Sequence, residues 1–113
     1  MSKLAEKIEH YTEASKKLRL GLSGELIQNV TKGLGPSIYN KDAESVSCSS
    51  KDELARVREN FLKKKLGLNE SDDALDAAIK EVCEKMGSSN RNKYRALFYA
   101  LLVKKFGKES VYA

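Results

Sequence analysis

Apolar residues recur every three to four positions along this chain, and the pattern breaks repeatedly at glycine. Leu4, Ile8, Tyr11 and Leu18 form one stripe, with Ala14 and Ser15 filling its gap. They predict a helix over about 2–20, closed by Gly21. Leu26, Ile27 and Val30 predict a shorter helix over about 24–32, with Ser23 as N-cap and Gly33 as its stop. Leu54, Val57, Phe61, Leu62 and Leu66 predict a third, opened by a Ser50–Glu53 capping box and ended by Gly67 after three lysines. Leu75, Ala78, Ile79, Val82 and Met86 predict a fourth over about 72–86, capped by Ser71 and stopped by Gly87. The fifth starts after Asn90 and runs to about 106, with Gly107 beyond its end. Its residues Tyr94, Leu97, Phe98, Leu101 and Leu102 share an arc of about 140°. Between Ala96 and Val103 it is apolar on nearly every side, so it is expected at the centre, with Phe98 and Leu101 nearly fully buried.

Residues 33–50 carry no long period, which is more chain than a compact domain usually spends on one connection. Pro36 suits the first turn of a short helical segment over 36–39. Ile38, Tyr39 and Val46 are expected to pin this loop to the core. The fold class is therefore all-α: a single compact domain over 1–113, with about five helices, a central C-terminal helix and an irregular 33–50 loop. A chain of 113 residues can bury roughly 65% of its unfolded surface, enough to fold without a staple. The one proline and seven glycines agree with a helical reading.

Charge changes the picture at one place. Residues 1–87 carry equal numbers of acidic and basic side chains, so the formal net charge of +5 resides in 88–113. Arg91, Lys93 and Arg95 fall in what reads as the first turns of the last helix, where the helix dipole favours anions instead. Compensation could come from Glu81 and Glu84, which an antiparallel pairing of the last two helices would bring alongside. After that pairing come a bound anion, held by free amides, Ser88, Ser89, Asn90, Asn92 and the cations, and then a partner protein's acidic patch. Groove reading of nucleic acid is not expected, because the last helix presents no polar face and its cations are split between its ends.

Candidate chemistry is sparse. His10 is the single histidine, expected exposed and solvated, and a catalytic base or metal ligand needs partners. The pairs Asp72/Asp73 and Glu81/Glu84 read as dipole complement and solvated surface. Cys48 and Cys83 form no motif and are expected as free thiols in a reducing compartment. Glu6, Glu9 and Glu13 interrupt any signal-peptide core, and no apolar run is long enough to span a membrane. No catalytic residue, metal or cofactor is assigned.

Three stretches carry a resemblance. They are Gly33-Leu34-Gly35-Pro36-Ser37-Ile38-Tyr39-Asn40-Lys41-Asp42-Ala43, then Asn60-Phe61-Leu62-Lys63-Lys64-Lys65-Leu66, then Ser89-Asn90-Arg91-Asn92-Lys93-Tyr94-Arg95 running on to Tyr112. Over roughly residues 31–113 the chain resembles a bacterial family of small one-domain proteins, domain of unknown function 2853. The resemblance implies a cytosolic, stand-alone protein and carries no catalytic residue onto this sequence. It marks the 33–43 loop and the 90–95 turn as signature segments.

The resulting expectation is a small cytosolic, monomeric protein that binds a protein partner without catalysis. The alternative is phosphate or nucleic-acid-backbone binding through residues 89–95. Candidate anion- or partner-binding residues are Ser89, Asn90, Arg91, Asn92, Lys93 and Arg95. Candidate loop-surface residues are Ser37, Tyr39, Asn40 and Lys41. The partner class stays open between protein and anionic ligand, with no membrane role.

Overall fold

The computed structural model describes residues 3–87 and 93–112, with the side chains of Ser37, Lys41 and Asp42 outside that description. Helix α1 spans Lys3–Leu18 and α2 spans Gly24–Leu34. A 3-10 turn, Gly35–Tyr39, and a single helical turn, α3 (Lys41–Glu44), follow. Helix α4 (Lys51–Arg56) runs directly into a π-helical stretch, Val57–Lys65. Helices α5 (Asp72–Met86) and α6 (Arg95–Lys105) come next, then a 3-10 turn, Glu109–Tyr112. The radius of gyration is 13.1 Å, close to the roughly 13 Å of one compact domain of this length. The all-α, single-domain expectation is met.

The α6 stripe explains the architecture. Ala96, Leu97, Phe98, Ala100, Leu101, Leu102 and Val103 are all buried, with Phe98 inaccessible and Leu101 nearly so. A helix apolar on nearly every side needs neighbours on every side, and α6 packs against α1, α2, α3 and α5. Three predicted N-caps hold: Ser23, Ser50 and Ser71 accept the amides of Leu26, Glu53 and Ala74 through their hydroxyls.

Several boundaries differ, each for a physical reason. Helix α1 ends at Leu18, because Leu20 turns inward to full burial. The Arg19 and Leu20 amides bond back to the Lys16 and Ser15 carbonyls, with Arg19 at φ 54°. That is the left-handed closing residue of a Schellman cap, normally glycine, so Gly21 is not the stop. Gly33 does not end α2 either. It lies inside the helix, where a Cβ would meet the Tyr112 ring at 3.0 Å, and Gly35 closes the helix instead. The third predicted helix changes hand-hold at Val57 from α to π bonding: the Leu66 amide reaches Phe61 O at 2.9 Å. Apolar positions 57, 61, 62 and 66 suit either winding, so periodicity does not separate them.

The last helix begins at Arg95, later than expected, with Tyr94 as its capping residue. Lys93 precedes the helix, in extended chain: its carbonyl accepts the Val46 amide at 2.8 Å, and Ser45 pairs with Tyr94. Ile38 and Val46 pin the 33–50 segment as expected, whereas Tyr39 is 47% exposed. The cysteines are a second correction. Cys48 and Cys83 form a disulfide, with Cα atoms 6.1 Å apart. Packing of α5 against the 47–50 turn brings together two residues that no sequence motif connects. The inference to a reducing compartment loses its support from free thiols. Among the described residues no helix is long and apolar enough to cross a membrane.

Candidate functional site

The two signature segments meet. The pairing of 45–46 with 93–94 is one seam, and Arg95 is the other. Its Nε donates to Ala43 O at 2.7 Å, its Nη1 to the Tyr99 hydroxyl at 3.0 Å, and its Nη2 to Glu53 Oε1. Arg95 therefore pairs with Glu53 and not with Glu81 or Glu84; Glu81 takes Lys105. Glu53 is the acidic member of the predicted capping box. Its side chain turns away to Arg95, leaving Ser50 to cap alone. The Tyr99 ring beside Arg95 stacks on Phe61 at 3.8 Å.

On the other side of the seam, Glu44 anchors α1. Its Oε2 accepts the Tyr11 hydroxyl and the Lys7 ammonium, each at 2.6 Å. Tyr11 is fully buried, and burial, then the bonded Glu44 carboxylate, pushes its hydroxyl far above the ordinary range. Burial works to raise Glu44 as well, but Lys7 and Tyr11 outweigh it and hold the carboxylate below its usual value. The Tyr94 ring packs 5.0 Å from Tyr11, and its hydroxyl shares a 2.8 Å hydrogen bond with His10 Nε2. Burial, then the Glu44 charge, raises Tyr94 too. His10 is exposed, as expected, yet it has a fixed partner. Next to this cluster a cleft of about 400 Å³ is lined by Lys3, Glu6, Lys7, His10 and Tyr39.

The sequence-based candidates are distributed as follows. Tyr39 lines the cleft. Asn40 accepts the Ala43 and Glu44 amides through its carbonyl and so starts α3. Lys93 is 9% exposed, and Arg95 is committed to the seam. Ser89, Asn90, Arg91 and Asn92 lie outside the described residues, as do the side chains of Ser37 and Lys41. Lys7, Tyr11, Glu44 and Glu53 were missed. Lys7, Tyr11 and Glu53 sit on helices as ordinary stripe or surface residues, Glu44 ends the single turn of α3, and only its distant partner distinguishes each.

The seam, the partly buried Arg95 and the α1 anchor define one all-α unit built around α6. A family model described as Protein of unknown function (DUF2853) matches residues 9–110, and the chain belongs to that family. The match begins two residues before Tyr11, so most of α1 lies within the family unit as well. No curated protein matches the chain.

Proposed function

We propose that this chain is a non-catalytic binding module that docks a partner protein on the face formed by Tyr39, His10, Lys7 and Lys3. Tyr39 carries the reading. It is the most exposed large apolar side chain among the described residues, and its neighbour Ile38 is buried. An aromatic ring held in water by a pinned backbone is the kind of group that anchors protein interfaces. The Glu44–Tyr11–Lys7 anchor behind it supports the reading, since a pre-ordered face loses little freedom on binding. Lys7 and His10 of this face are tied to Glu44 and Tyr94 behind it, which suits a scaffold better than a proton relay.

The alternative, phosphate or nucleic-acid-backbone binding through residues 89–95, has less support. Arg95 spends three donors inside the protein, and Lys93 is largely buried. A cytoplasmic setting belongs to the same proposal; there the Cys48–Cys83 bond would be redox-responsive.

The test replaces Tyr39 by a photo-crosslinking phenylalanine analogue, with Glu70 replaced as control. A discrete protein adduct should form from position 39 and not from 70. Excess wild-type chain should suppress it, and excess Tyr39→Ala chain should not. Equal adducts at both positions, or equal competition by the variant, would overturn the reading. Melting with phosphate and with a single-stranded oligonucleotide at low salt examines the alternative, which requires a rise that fades with salt.

A further inference from the structure

The Cys48–Cys83 disulfide lies in a second cleft, away from Tyr39. Cys48 belongs to the turn before α4 and Cys83 to α5, and both are partly exposed. The cleft measures about 620 Å³, and both cysteines line it. That is the size of a small-molecule site. Leu54, Ala55 and Ile79 give it an apolar floor, and Lys51, Arg58 and Lys80 bring cations to it. Asp76 also lines it, but Arg58 holds that carboxylate with two bonds of 3.0 Å from one nitrogen. Lys51 and Lys80 have no ion-pair partner among the described residues. They stand three residues after Cys48 and three before Cys83, with Asp52 the remaining acid of the cleft.

We propose that this cleft receives a low-molecular-weight thiol bearing carboxylates, and that the Cys48–Cys83 bond exchanges with it to a mixed disulfide. The incoming thiolate attacks one sulfur, a new S–S bond forms, and the protein S–S bond breaks. Its electron pair leaves on the other cysteine as a thiolate. One disulfide and one thiolate enter and one of each leaves, so no further oxidant is required. The lysines act twice: they attract the carboxylates, and they stabilise the departing thiolate, which speeds exchange. Reversal expels the small thiol and restores the tether between the 47–50 turn and α5. The proposal is independent of the Tyr39 face.

The experiment uses the oxidised full chain with reduced glutathione and with its diethyl ester. Exchange is followed by mass spectrometry after acid quench. Each rate is divided by that of the same thiol with 2-hydroxyethyl disulfide, which removes differences in thiol reactivity. The free acid should be favoured by about two- to fivefold, the scale of exposed ion pairs. The preference should collapse at high salt and in Lys51→Gln/Lys80→Gln, whose exposed positions leave the fold intact by circular dichroism. Cys48→Ser, which leaves Cys83 a thiol, should attack the disulfide form of glutathione and take an adduct on Cys83 with release of one glutathione thiolate, faster than it does with the disulfide of the diethyl ester. A ratio of one or less in the wild-type chain would overturn the proposal. So would an undiminished ratio in the double lysine variant, or a disulfide that no thiol opens while the helices persist.

Discussion

Arg95 and Glu53, 42 residues apart in sequence, form an ion pair that locks the first turn of α6 to the first turn of α4. Their side chains are 15% and 19% exposed, so water screens them little. Removing one partner leaves a desolvated charge behind. Arg95→Gln should therefore destabilise the protein by about 2–4 kcal/mol, read as a shift of the urea midpoint. Glu53→Gln should be nearly as harmful, and the double variant less harmful than the sum. Additive losses in the double-mutant cycle would show the two side chains to act separately.

The disulfide closes a stretch of 35 residues that includes all of α4 and the π-helical segment. A loop of that length, once cross-linked, stabilises a domain by about 2–4 kcal/mol in the chain-entropy account. Reduction, or the Cys48→Ser/Cys83→Ser pair, should lower the melting temperature by about ten degrees or more. An unchanged melt under strong reductant would mean that packing alone fixes the 47–50 turn.

Tyr112 supplies a signature at high pH. Its ring lies against Gly33 and beneath the Lys65 ammonium, 5.3 Å from the ring centre. Burial, then the neighbouring Tyr99, pushes its hydroxyl from 10.0 to about 12. The folded chain thus keeps a proton that the unfolded chain loses. The stability this provides is complete below pH 10 and is lost as pH rises through about 12. Tyr112→Phe should flatten that alkaline decline by about 1–2 kcal/mol in unfolding titrations. Tyr11 shifts in the same direction, so part of the decline should remain.

Arg19 occupies a left-handed position at φ 54°. A side chain there costs about 1–2 kcal/mol, and glycine removes that cost while adding unfolded-state freedom. Arg19→Gly should be neutral to stabilising by about 1 kcal/mol in thermal and urea melts. A clear loss would mean that the Arg19 side chain contributes a contact of its own.

Much of this fold was legible in the sequence because its determinants are local. Ser23, Ser50 and Ser71 cap helices through amides three residues away. The stripe of α5 became buried residue for residue, and the apolar α6 became the centre. Gly107, at φ 64°, closes α6 in the way its position suggested, with the Lys108 amide on Val103 O.

What only the tertiary structure decided is who meets whom. Arg19 closes α1 because Leu20 finds a fully buried site, and local propensity carries no record of that site. Gly33 serves Tyr112, which comes from the far end of the chain. Tyr11 meets Glu44 across 33 residues, Arg95 meets Glu53 across 42, and Cys48 meets Cys83 across 35. Within its own segment each of these is one more polar, aromatic or small residue. Its role comes from the partner that packing around α6 delivers. Periodicity records which face of a helix is buried and says nothing about what the face is buried against.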